Sequence, residues 1–154
     1  MNVVTRNVPE GTEAAAGNPL KRLEEFGQSP WLDFIQRSFI GPQLQTLIDR
    51  DGLKGITSNP AIFEKAMGHG TDYDEGFRKL AESGDHDALG LFEALAVEDI
   101  QAACDMMRPV YERTGKVDGY VSIEVSPYLA LRTEDTVAEA RRLWKWVGRE
   151  IIMV

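Results

Sequence analysis

Four polar residues carry the chemistry that this sequence offers: Asp33, Thr57, Asn59 and Glu124. Asp33 is the one charged residue of the apolar run Trp31 to Ile35, and Glu124 belongs to the alternating run Gly119 to Val125, so each carboxylate sits in a stretch that reads as a β-strand. Thr57 and Asn59 flank Ser58 in a polar turn between the short apolar run Leu53 to Ile56 and a helix start at Pro60. Two carboxylates beside a hydroxyl and an amide suit proton transfer next to a carbonyl carbon. Each residue alone has a plainer reading. Thr-Ser-Asn caps a helix, and Glu124 faces water from the polar side of a small sheet. A buried Asp33 is costly unless it is hydrogen-bonded or functional. Placed together at the carboxyl ends of three strands, they read as a site.

The elements that must position these groups follow from local signals. Asn59 before Pro60 is an N-cap with proline at the first helical position. Asn18-Pro19 repeats the device and opens a helix through Leu20, Leu23 and Phe26 that Gly27 stops. Trp31 to Ile35 is the first expected strand; a helix over Phe39 to Ile48, entered through Gly41-Pro42, returns the chain at Asp51-Gly52 to the strand Leu53 to Ile56. Thr71-x-x-Asp74 begins a helix through Phe77 and Leu80. The longest helix is expected over Asp85 to Thr114, where Leu89, Phe92, Ala96, Ile100, Ala103, Met107 and Val110 recur every three or four residues and Pro109 should kink or shorten the last turn. Cys104 and Met107 fall on or beside that stripe and read as core. In Gly119 to Val125, Val121, Ile123 and Val125 share one face and Tyr120, Ser122 and Glu124 the other. Thr133 caps a further helix with the stripe Val137, Ala140, Trp144 and Val147, and Ile151 to Val154 is a fourth strand. Strands alternating with helices in this order predict a parallel α/β protein, and four strands are half of a (β/α)₈ barrel, which typically needs ~250 residues. In a barrel the polar side of Gly119 to Val125 points inward.

Composition narrows the function classes. A net charge of −8 and a pI near 4.8 argue against a nucleic-acid surface, though a few local donors can still hold a small phosphorylated substrate. No run approaches the roughly 18 apolar residues of a membrane span, and the start lacks the pattern of a secretory signal, so a cytoplasmic protein without a membrane partner is expected. Cys104 is the single cysteine, which excludes an internal disulfide. Residues 1–17 show no sustained hydrophobic period and read as a flexible tail ahead of a domain over 18–154.

The wording Gly55-Ile56-Thr57-Ser58-Asn59-Pro60-Ala61-Ile62-Phe63, with Trp31-Leu32-Asp33 upstream and Val121-Ser122-Ile123-Glu124-Val125 downstream, resembles the transaldolase family, in particular the bacterial branch related to fusions with phosphoglucose isomerase. The likeness runs from about Asn18 to Val154 and holds three motifs in order. It implies the N-terminal half of a TIM (β/α)₈ barrel. It also implies transfer of a dihydroxyacetone unit between ketose and aldose phosphates in the pentose phosphate pathway, through a lysine Schiff base and with no metal or organic cofactor. By resemblance Asp33 handles the hydroxyl proton during cleavage, Glu124 works with a bound water on imine formation and hydrolysis, and Asn59 with Thr57 binds the dihydroxyacetone hydroxyls. Two positions depart from the family: Phe34 and Ile151 stand where it usually has asparagine.

In the family the strand matched by Ile152 to Val154 continues into the Schiff-base lysine, so the nucleophile is expected outside this sequence. Lys54, Lys65, Lys79, Lys116 and Lys145 read as solvated charges at strand entries, on helices or in turns, and nothing in the spacing of Arg37 or Arg132 makes them phosphate ligands. The competing expectation is a catalytically dead, truncated half barrel that self-associates. A third, another Schiff-base aldolase, is disfavoured by the Thr-Ser-Asn-Pro and Ser-Ile-Glu-Val wordings.

Overall fold

The structure, a computed structural model, describes residues 17–84 and 87–154. The tail expected over 1–17, Gly17 apart, and the helix start expected at Asp85 lie outside these residues.

Four strands form one parallel sheet in chain order: β1 (Trp31–Asp33), β2 (Gly55–Thr57), β3 (Tyr120–Ser122) and β4 (Ile152–Met153). A helix α1 (Pro42–Thr46), prolonged by a π-helical turn over Leu47–Asp51, crosses from β1 to β2. Between β2 and β3 run α2 (Pro60–Gly68), α3 (Asp74–Ser83) and α4 (Ala88–Arg113), and α5 (Thr133–Val147) returns the chain to β4. The strand order never reverses, which separates this sheet from doubly wound ones and matches half of a β/α barrel.

Register decides which side chains face the helices. Trp31 pairs with Gly55 and Asp33 with Thr57, so these four share one face, whereas Leu32, Ile56, Val121 and Ile152 share the other. That second face joins Leu44, Ile100, Met107, Leu143 and Val147 from the helices in one core. Proline and glycine set the corners. Gly41 takes φ 145° ahead of Pro42, and Gly52 takes φ 70° where the π-helical turn ends.

The strands are shorter than expected, because hydrogen-bonded pairing stops where a neighbour turns away. Ile35 lies beyond the β1 ladder and is buried all the same. Over the first expected helix the chain forms a 3₁₀ helix, Lys21–Phe26, that buries none of its residues. The expected helix over Phe39 to Ile48 is divided between a 3₁₀ turn, Arg37–Phe39, and α1 with its π-helical continuation. α4 is capped by Asp87, whose Oδ1 accepts from Gly90 N at 2.8 Å, and continues through Pro109 to Arg113 with Val110 and Tyr111 buried beyond it. Burial of those side chains outweighs the one lost backbone bond. Thr133 is the first residue of α5, not its cap; Thr136 instead donates its hydroxyl to the carbonyls of Leu129 and Arg132. The α5 face that packs inward carries Leu143 and Val147, while Val137 and Trp144 of the expected stripe are 43% and 54% exposed. Two adjacent apolar stripes share this helix, and only one has a partner among the described residues.

Candidate functional site

Because all four strands are parallel, their carboxyl ends share one rim. There the pairing of Asp33 with Thr57 puts both side chains on the face opposite the core, and Thr57 Oγ1 donates to Asp33 Oδ1 at 2.7 Å. Asp33 is exposed, contrary to the buried carboxylate expected. The concave face above β1 and β2 is open among the described residues, so the charge keeps water and has the Thr57 hydroxyl besides.

Asn59 does what its place before Pro60 requires: its side-chain oxygen accepts from Ile62 N at 2.9 Å and caps α2. Only the oxygen is committed. The amide nitrogen has no hydrogen-bond partner among the described residues, so one side chain can cap the helix and still offer two N–H donors at the rim.

Ser58, between these residues, has a function that its sequence position conceals. It follows Ile56 on the core side of β2, is 1% exposed, and donates its hydroxyl to the Ser122 carbonyl at 2.7 Å. That bond ties the end of β2 to the end of β3. The available signal was its phase: a hydroxyl two residues after a core isoleucine must be buried and therefore needs an acceptor.

Glu124 lies just past β3, exposed, and forms no hydrogen bond or ion pair among the described residues. With Asn59 it borders a cavity of about 240 Å³ between α2, α4 and α5, walled by Phe63, Phe92 and Leu143. Glu93 and Glu139 on the same wall are both held by Arg142, at 2.8 and 2.5 Å. The site residues thus come together as two pairs, Asp33 with Thr57 and Asn59 with Glu124, and Ser58 links the strands that carry them.

Of the lysines and arginines considered from the sequence, Lys54, Lys79, Lys116, Arg37 and Arg132 are held in ion pairs. Lys54 is buried at the amino end of β2, paired with Glu24 and, at 3.9 Å, with Asp118. The Lys54 ammonium holds the Glu24 carboxyl below its ordinary range. Lys116 pairs with Glu150 at 3.2 Å and Lys79 with Glu75 at 2.7 Å; Lys65 and Lys145 lie on α2 and α5. Arg132 pairs with Asp135 at 2.5 Å.

Arg37 anchors the segment after β1. Its Nε donates to Asp99 Oδ1 at 2.8 Å and its Nη2 to Glu98 at 2.9 Å, while the Tyr73 hydroxyl donates to Asp99 Oδ2 at 2.7 Å. Burial pushes the Asp99 carboxyl up against the pull of Tyr73 and Arg37, and it pushes the Tyr73 phenol up as well. Phe34, the departure beside Asp33, lies edge-on to Phe39 with ring centroids 5.3 Å apart.

Among the described residues no group of three or more His, Cys, Asp and Glu side chains gathers to hold a metal ion, and no helix is long and apolar enough to cross a membrane. Parallel strands in chain order, helices on one face and polar groups at the carboxyl rim define the class: half of a β/α barrel with its candidate site at the usual end. Residues 30–154 match the family model described as transaldolase/fructose-6-phosphate aldolase, and the chain belongs to that family, whose fold is the TIM barrel. It is 44% identical over 138 residues to Transaldolase 2 of a Nostoc species, covering 89% of this chain and 36% of that protein. Against the transaldolase of Thermobifida fusca it is 46% identical over 141 residues, 90% of this chain and 38% of the relative. With the transaldolase of Trichodesmium erythraeum the identity is 43% over 141 residues, 89% and 36% of the two proteins. The chain therefore spans little more than a third of the length of the curated relatives it matches.

Proposed function

We propose that this chain supplies the amino-terminal half of a transaldolase-type site, in which Asp33 and Glu124 move protons and Thr57 and Asn59 bind the hydroxyls of a dihydroxyacetone unit. The observation that carries the reading is the gathering of Asp33, Thr57, Asn59 and Glu124 at one rim of a parallel sheet in a chain of this family. Sugar phosphates are the substrates, the reaction needs no metal or organic cofactor, and the nucleophile is a lysine that this sequence does not contain at a matching position.

The chemistry assigns each group a step. The lysine amine adds to the ketone and water leaves, giving an iminium that accepts electrons. Glu124, through a water, carries protons to and from that oxygen. Asp33 then takes the proton from the hydroxyl beside the breaking carbon–carbon bond; the bonding pair flows into the iminium to give an enamine, and an aldose phosphate leaves. The enamine adds to a second aldose phosphate, Asp33 returns the proton, and water releases the ketose. The Thr57 hydroxyl at Asp33 Oδ1 fixes the orientation of that carboxylate.

The positions of the lysines favour a second statement: the 154-residue chain alone forms no imine. Lys54 is buried at the opposite end of β2, and the other paired lysines lie on helices or turns. Both statements are tested with a polypeptide joining this chain to the carboxy-terminal strands of the Thermobifida fusca transaldolase. In a coupled assay with fructose 6-phosphate and erythrose 4-phosphate, Asp33→Ala should lower turnover by about 10²–10⁴-fold while borohydride still traps the imine, and Glu124→Gln should slow trapping itself. Near-normal turnover and trapping in both variants would leave these residues without a catalytic part, and an adduct on any lysine of the unextended chain would refute the second statement.

A further inference from the structure

We propose that Arg37, Tyr73 and Asp99 are positioning residues for Asp33, and that the cycle of hydrogen bonds they close sets where its carboxylate stands at the rim during carbon–carbon cleavage. The cycle starts and ends on one residue. Arg37 N donates to the Tyr73 hydroxyl oxygen at 3.0 Å, that hydroxyl donates to Asp99 Oδ2 at 2.7 Å, and Asp99 Oδ1 accepts from Arg37 Nε at 2.8 Å. The backbone of Arg37 is thereby held together with its side chain. Gln36 adds a bond beside the cycle, from Nε2 to Asp72 Oδ2 at 2.8 Å. Asp72 and Tyr73 immediately precede α3 and Asp99 lies on α4, so the turn after β1 is tied to two elements that follow β2.

Asp33 stands between two fixed points. On its amino side β1 is paired with β2 up to Asp33 itself, opposite Thr57. On its carboxyl side only Phe34, Ile35 and Gln36 separate it from the clamped amide of Arg37, and the Ile35 side chain is buried in the core. The bond from Thr57 at 2.7 Å fixes one carboxylate oxygen and leaves the rest of the geometry to the backbone. For stability alone, well-packed apolar residues of the same volume would serve as well as a buried ion pair, because desolvation offsets the attraction. What the charged cycle adds is direction. Tyr73 and Asp99 are both buried and each Asp99 oxygen has its own donor, so the turn has one arrangement in which every group is satisfied. A proton-transferring carboxylate needs that constraint, since a misplacement of about 1 Å can cost about 10²-fold in rate. Opening the cycle frees the turn to shift, and Asp33 shifts with it.

The inference rests on the role given to Asp33 above, and its test tells the two apart. In the polypeptide extended with the carboxy-terminal strands of the Thermobifida fusca transaldolase, Tyr73→Phe removes both bonds of the hydroxyl and keeps the aromatic packing, whereas Arg37→Lys keeps the charge and loses the fork of donors. With fructose 6-phosphate and erythrose 4-phosphate, each should lower turnover per folded chain by about 10- to 100-fold. Borohydride should still trap the imine at the unaltered rate, because Asp33 enters only at cleavage. In an Asp33→Ala background either substitution should change turnover by less than about twofold. Unchanged turnover in both variants, an equal fall in trapping, or a loss that adds to that of Asp33→Ala would each overturn the positioning role. Normal turnover in Asp33→Ala alone would instead remove the reading of Asp33 itself, and this inference with it.

Discussion

Asp99→Ala is the substitution that tests most directly how the segment following Asp33 is held. Asp99 is 3% exposed and accepts from two donors, Arg37 Nε at 2.8 Å and the Tyr73 hydroxyl at 2.7 Å. Removing one member of a buried ion pair costs about 3–5 kcal/mol because the other charge is stranded. Arg37 is not wholly stranded: its side chain is 29% exposed and Glu98 remains 2.9 Å from Nη2. The lower end applies, reduced by this solvent and counter-charge, and the expected loss is about 2–3 kcal/mol. Tyr73→Phe removes two hydrogen bonds, the one its hydroxyl donates to Asp99 and the one its oxygen accepts from Arg37 N at 3.0 Å, and should cost about 1–3 kcal/mol; the double variant should lose less than the sum because the two share Asp99. The sign of the pH dependence follows from burial, which lifts the Asp99 carboxyl above its ordinary value of 3.8. The native chain then takes up this proton before the unfolded chain does. That contribution is fully present below the unfolded value and is lost as pH rises through the folded one, so the gap between the unaltered chain and Asp99→Ala should widen on acidification. Urea unfolding measures the cost, and hydrogen exchange over Arg37–Phe39 measures the loosened anchor. A loss below about 0.5 kcal/mol with unchanged exchange would refute the anchoring argument.

Two further outcomes are expected. Cys104 is buried and its thiol is pushed up to about 12, so a maleimide reagent should label it only on unfolding; stoichiometric labelling of the native chain at neutral pH would contradict its place in the core. Ser58→Ala removes the buried hydroxyl that donates to the Ser122 carbonyl and should cost about 0.5–1.5 kcal/mol by urea unfolding, whereas an unchanged midpoint would mean that water or a shifted neighbour replaces the bond.

What could be read from the sequence was local, and what could not was settled by contacts between distant segments. The cap at Asn59, the helix starts at Pro42 and Pro60 and the alternation around Val121 depend on residues within a turn of one another, and each appears where the pattern put it, whereas Asn18-Pro19 precedes a 3₁₀ helix that begins only at Lys21. The bond from Arg37 to Asp99 spans 62 positions, and nothing in either neighbourhood announces it. On α5 periodicity was right for Val147 and failed for Val137 and Trp144, for a specific reason. Val137 with Trp144 and Leu143 with Val147 are both helix-spaced apolar sets, so only the packing against α4 and the sheet selects the second. Asp33 was readable as a site candidate but not as exposed, because its exposure depends on what stands across the concave face.

Asn59 offers a clean separation of structure from function, since its oxygen and its nitrogen have different tasks. The oxygen caps α2 through Ile62 N at 2.9 Å, and the nitrogen is uncommitted among the described residues. Asn59→Ser keeps a neutral cap of similar quality and deletes the amide; Asn59→Ala deletes both. If the cap were the whole purpose of the residue, serine would be silent everywhere and alanine would cost about 1 kcal/mol of stability. If the amide also binds a substrate hydroxyl, serine should leave the unfolding midpoint unchanged yet raise KM in the extended polypeptide. Loss of one neutral hydrogen bond, about 0.5–1.5 kcal/mol, corresponds to about a 2- to 12-fold rise. Serine is the better probe than aspartate, because a new carboxylate beside Glu124 would repel a phosphorylated substrate on its own account. An unchanged KM in Asn59→Ser, with the stability loss confined to Asn59→Ala, would reduce this residue to a helix cap and leave Thr57 as the sole binding group on that turn.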